Sequence, residues 1–139
     1  PGLTRGGSGC DGPVISHDFY PTLIELAGGE LPARSQMAID GVSLVPLLQG
    51  RNRLPRRELF WHYPHYWFGT NVTPYSVARA GDWKLIRFYE QDREELYHLR
   101  NDLGETNNLA ATRPRQLRQL RLRLDTWLKQ INAQMPLPR

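Results

Sequence analysis

The densest chemistry in the sequence lies in Trp61-His62-Tyr63-Pro64-His65-Tyr66-Trp67, where two imidazoles sit among four aromatic rings. Imidazole changes charge near neutrality and ligates metals, and ligand pockets are commonly built from ring faces with a few polar groups between them. His62 and His65 stand three apart with no cysteine near them and Glu58 as the one acid close in sequence, an incomplete set for a metal. Contact with a ligand through imidazole and ring faces, as in sugar binding, is the functional reading of His62, His65, Tyr66 and Trp67. Ordinary packing is the alternative. The cluster runs into residues 64–74, long for a hairpin connection, and long loops in compact domains often line sites. His17, near a helix start, and His98, inside a strand, read as structural.

Other reactive groups offer less. Cys10 lies in "GSGCDGP" with no neighbour that obviously activates a thiolate, and no serine sits in a G-x-S-x-G elbow. Asp40, Asp82, Asp102 and Glu105 fall at turns, where acids usually serve as hydrogen-bond acceptors for the backbone. Asn71-Val72-Thr73 matches a glycosylation acceptor, a triplet that arises often by chance. On these grounds the chain holds no complete active site.

These side chains need elements to position them. The 139 residues, 40% hydrophobic and 23% charged, have the length and balance of a globular chain with a modest core. Apolar runs fall far short of the roughly 20 residues that span a bilayer, and no targeting segment is recognisable, so no membrane partner is expected. A single cysteine excludes an internal disulfide and leaves the redox compartment open. The net charge of +4 is concentrated in Arg113, Arg115, Arg118, Arg121, Arg123 and Lys129, opposed by Asp125. Without a recognised nucleic-acid motif, this run reads as the solvated face of a helix, and no nucleic acid is expected.

Residues 1–13, with five glycines and two prolines, read as coil. Helical spacing of Phe19, Leu23, Leu26 and Ala27 predicts a helix over 16–27, capped by Ser16 and ended by Gly28-Gly29. A short helix over 43–49 follows, with Ser43 as cap and Gly50 as terminator. The period then changes to two, and Leu59–Tyr63, Tyr75–Ala80, Trp83–Glu90 and Glu94–Leu99 read as strands joined by turns short enough for antiparallel pairing. Over residues 113–132, Leu117, Leu120, Leu124, Trp127, Leu128 and Ile131 share one stripe of an amphipathic helix whose obvious partner is the sheet. The fold class is α+β: an antiparallel sheet of about four strands against a long C-terminal helix, preceded by coil and short helices.

The segments "VISHDFYPTLIELAGG", "IDGVSLVPLLQG", "RELFWHYPHYW" and "ARAGDWKLIRFYE…EELYHLRNDLGETNNLA", in this order, closely resemble the C-terminal part of the sulfatases. These are the arylsulfatase and carbohydrate-sulfatase family, with an alkaline-phosphatase-like fold. The resemblance runs from about Pro1 to Ala110, with the terminal helix also expected. It implies that residues 1–50 are the tail of a catalytic domain, that 51–139 form a C-terminal subdomain, and that the chain is a fragment. Such enzymes hydrolyse sulfate esters with calcium and a formylglycine made from the cysteine of C-x-P-S-R. Cys10 in "CDGPV" is not equivalent to it, so the resemblance implies no catalytic residue and no cofactor here, and an inactive fragment whose full-length enzyme carries both groups.

The implied partners are the N-terminal catalytic domain and a sulfated saccharide or aryl sulfate. His62, His65, Tyr66 and Trp67 would face the sugar from the rim of the pocket. Phe19, Leu23, Leu44 and Leu47 are expected to stand exposed or to form a self-association surface when the catalytic domain is absent. Family resemblance alone suggests a periplasmic or secreted location. The competing expectation is an independent module that holds an anionic glycan or nucleic acid with the aromatic loop and the arginine-rich helix.

Overall fold

The computed structural model describes residues 2–33, 37–51, 54, 58–67, 69 and 71–137. The chain divides into two compact units, Pro1–Arg56 and Arg57–Arg139.

In the first unit the backbone is extended at Ile15, makes one 3-10 turn over Ser16–Asp18, and continues as α1, Phe19–Leu26. The capping role expected of Ser16 falls to Asp18. Ile15 takes the last extended position, so Ser16 is already inside the turn and its hydroxyl is one residue too late. The fully buried Asp18 carboxylate instead accepts the amides of Ile15 at 2.9 Å and of Val42 at 3.0 Å. Thr22 donates its hydroxyl to the Asp18 carbonyl at 2.5 Å and accepts the Leu44 amide at 2.8 Å, so residues 42–44 are stitched along α1. This approach requires glycine at 41, where a Cβ would lie 2.0 Å from the His17 carbonyl oxygen. Ser43 Oγ accepts the Val45 amide at 3.1 Å at the start of α2, Val45–Leu48. Of the expected apolar stripe on α1, Phe19 is 59% and Leu23 62% exposed, while Pro21 and Thr22 are buried. Leu44 and Leu47 are half-buried.

The second unit is a four-stranded antiparallel meander, β1 (Glu58–Tyr63), β2 (Tyr75–Ala80), β3 (Trp83–Phe88) and β4 (Arg93–His98), in that spatial order. Its register places Phe60, Ala78, Leu85 and Leu96 in one row across the sheet. Upon that row lies α3, Pro114–Gln130, through Leu120, Leu124 and Leu128. Leu85, Leu96 and Leu124 are wholly buried. Burying a leucine of this kind is worth about 2 kcal/mol, and Phe60 and Trp127 close the layer by stacking at 5.0 Å. Ile131 lies past the end of α3 and is half exposed, because Asn132 turns the backbone left-handed there (φ 49°). The α+β architecture is the one the sequence implies. No helix among the described residues is long and apolar enough to cross a membrane.

Candidate functional site

β1 carries the first half of the aromatic cluster to the top of the sheet. Strand alternation sends His62 to the α3 side and Tyr63 to the opposite face. His62 is half-buried and uses both ring nitrogens inside the fold: Nδ1 lies 2.7 Å from Ser76 Oγ, and Nε2 lies 2.9 Å from the Gln134 carbonyl oxygen. Ser76, its register partner on β2, is wholly buried and sits 2.7 Å from the Tyr89 hydroxyl.

Past Pro64 the chain leaves the sheet. His65 is exposed, its ring edge-on to Tyr63 at 5.7 Å. Tyr66 is half-buried. Trp67 donates its amide to the Val72 carbonyl at 3.1 Å, forming an isolated bridge, and Asn71 reverses the loop with a left-handed φ of 54°. The Trp67 indole is left 60% exposed. The two histidines therefore part: His62 is turned into the sheet and helix layer, while His65 and Trp67 are presented by the loop.

The face of the sheet away from α3 carries a feature that the cluster alone did not announce. Tyr63, Tyr75, Phe88 and Arg93 occupy one register row across all four strands. Their rings follow one another at 5.6 and 6.3 Å, and the Arg93 guanidinium lies 4.1 Å over Phe88. Beside this row Trp61, Tyr75, Val77, Lys84, Ile86 and Phe88 line an open groove of about 370 Å³. The signal was present in the alternation, since aromatics at 61, 63, 75 and 88 all take the outward parity.

Charges around the sheet serve structure. Arg87 reaches Glu94 at 3.1 Å and Asp125 of α3 at 2.6 Å, and Arg121 grips the same Glu94 through two nitrogens. Partial burial pulls the Arg87 pKa down, but its hydrogen bonds and charge pairing with Asp125 and Glu94 outweigh this and leave it raised. Arg123 pairs with Glu58 at 2.5 Å, so two cations of the basic run are spent internally, while Arg113, Arg115 and Arg118 lie exposed. Asp102 accepts the amides of Thr106 and Asn107 at 3.0 and 2.9 Å, and these bonds hold its carboxyl below the usual aspartate range. Glu105, in a left-handed conformation, holds Lys84 at 2.7 and 2.8 Å. Burial, then the charge of Glu105, pushes the Tyr97 phenol up. Asn108 Oδ1 accepts the Leu96 and Ala110 amides, each at 3.0 Å. Of the acids expected at turns, Asp102 and Glu105 thus fasten the segment 102–110, and Asp82 pairs with Arg100 at 3.2 Å. Among the described residues no three His, Cys, Asp or Glu side chains gather as a metal set, and Cys10 is free and exposed.

Comparison with known proteins adds the following. The family model described as N-sulphoglucosamine sulphohydrolase, C-terminal, matches residues 1–134. A protein named sulfatase from Formosa agariphila is 41% identical over 132 residues, which cover 86% of this chain and 24% of that protein. The N-acetylglucosamine-6-O-sulfatase of Bacteroides thetaiotaomicron is 33% identical over 113 residues, 78% of this chain and 20% of its own length. Among solved structures, a protein in complex with its substrate D-glucosamine-2-N,6-O-disulfate is 31% identical with a TM-score of 0.68, matched over 86% of this chain and 24% of that one. The chain spans about a quarter or less of the length of these relatives.

Proposed function

The chain belongs to the C-terminal family of N-sulphoglucosamine sulphohydrolase, and from that premise we propose that it serves a sulfuric ester hydrolase acting on a sulfated saccharide. Within that enzyme these residues support the structure and supply part of the pocket rim; the sulfate chemistry is done elsewhere. The observation that carries the reading is the loop that presents His65 and Trp67 on a chain this family matches over residues 1–134. His65 gives hydrogen bonds to sugar hydroxyl or sulfate oxygen, the Trp67 indole stacks on a pyranose face, and Tyr66 stands between them. Relatives named for sulfated glucosamine or its N-acetyl derivative support a saccharide over a simple aryl sulfate.

Calcium and formylglycine belong, on this proposal, to an N-terminal catalytic domain that packs beside these residues. The groups present do not fit either: Cys10 lacks the C-x-P-S-R context, and no acid cluster of the described residues offers calcium a set of oxygens. The test is the coding sequence upstream of Pro1, where a C-x-P-S-R is expected and its absence would overturn the proposal. Purified, the 139-residue chain releases no sulfate from glucosamine 6-sulfate with calcium present; measurable release would refute the assignment of chemistry to other residues. An independent anionic-glycan module is the rival, weakened by the internal pairing of Arg121 and Arg123. It predicts binding whose affinity falls steeply with salt.

A further inference from the structure

We infer that His62 is a positioning residue, whose imidazole clamps the neck of the loop 64–74 and ties the segment after α3 to it. The inference rests on the reading of that loop as the saccharide-facing rim. The loop leaves the sheet after Tyr63 and rejoins it at Tyr75, and the His62 to Ser76 bond of 2.7 Å spans the two strands one residue inside those ends. The other nitrogen reaches the Gln134 carbonyl, four residues beyond α3.

The direction of the chain of bonds follows from its one obligate acceptor. A carbonyl only accepts, so Nε2 carries a hydrogen; in the neutral ring Nδ1 then accepts from the Ser76 hydroxyl, whose oxygen accepts from Tyr89. Because Ser76 is wholly buried, its hydroxyl cannot exchange this partner for water. Both ring nitrogens of His62 are engaged, leaving neither for a ligand. His65, exposed and three residues on, is the histidine available to substrate.

The intact chain tests this by nitrogen-15 NMR of the imidazoles together with amide hydrogen exchange. His62 is expected as a single Nε2–H tautomer with a slowly exchanging ring hydrogen, whereas the His65 ring hydrogens exchange with solvent. His62→Ala should raise exchange at least tenfold at the Trp67 and Ala133 amides, which bond to Val72 and Leu128. Ser76→Ala should do so at Trp67 alone, and His62→Gln, which keeps a terminal N–H, should restore Ala133. A mixed tautomer population in the wild type overturns the inference even if a variant fails to fold. So would His62 ring signals that move with glucosamine 6-sulfate while both amides stay protected in His62→Ala. If both amides respond but the upstream frame lacks C-x-P-S-R, the sulfatase reading fails and the clamp stands.

Discussion

Trp67 keeps its backbone bonded to Val72 while its indole reaches into solvent, so its side chain and its amide have separable duties. Replacing it with alanine should change stability by no more than about 0.5 kcal/mol, since no core contact is lost. In the complete enzyme the same change should raise KM for a sulfated saccharide about tenfold, the loss of one ring contact worth about 1.4 kcal/mol, with turnover of a small aryl sulfate unchanged. Urea melts and steady-state kinetics check the two halves. Asp102 gives a pH prediction. Its folded pKa is depressed by the Thr106 and Asn107 amides, so its contribution is complete above about pH 3.9 and is lost as pH falls through the lower folded value. The amide shifts of Thr106 and Asn107 should titrate together below the range of a free aspartate; a midpoint at or above that range contradicts the assignment. In the sequence His62 and His65 looked alike. Only the register separates them, because the partners of His62 come from residues 14 and 72 positions away, a pairing no local pattern encodes.

At the level of elements, α3 and the meander were legible because one period governs each. Leucines at helical spacing met a row of strand residues of matching parity, and both patterns were imposed by a single buried layer. Leu124→Ala, at a wholly buried position, should cost about 3 kcal/mol of unfolding free energy, while Ile131→Ala, past the helix end, should cost little. Denaturant melts that ranked the two alike would contradict the packing described. α1 was legible as a helix, and the exposure of Phe19 and Leu23 is what the sequence implied for its apolar stripe. Not legible was the burial of Pro21, Thr22 and Asp18, which comes through hydrogen bonds to residues 42 and 44 that carry no hydrophobic period. Gly41 is the point on which that arrangement turns. Gly41→Ala would drive a methyl into the His17 carbonyl and should unfold α1, as read in helical NMR shifts; an α1 that kept those shifts would contradict the close approach described.

For the whole molecule, the exposed rings and leucines are better understood as surfaces awaiting contact than as solvated ones. A helix showing Phe19, Leu23 and Leu26 to water, and a sheet face with a groove between Trp61 and Phe88, are apolar areas that a monomer ordinarily covers. On the proposed sulfatase reading their cover is the catalytic domain; the chain itself spans about a quarter of the relative from Formosa agariphila. Alone, the chain should therefore bind an apolar dye and associate reversibly with rising concentration, as followed by fluorescence and sedimentation velocity. The double substitution Phe19→Ser with Leu23→Ser should lower dye binding and shift the population toward monomer. A strict monomer that binds no dye would show that these faces are satisfied within the 139 residues and would remove the argument for a missing partner surface.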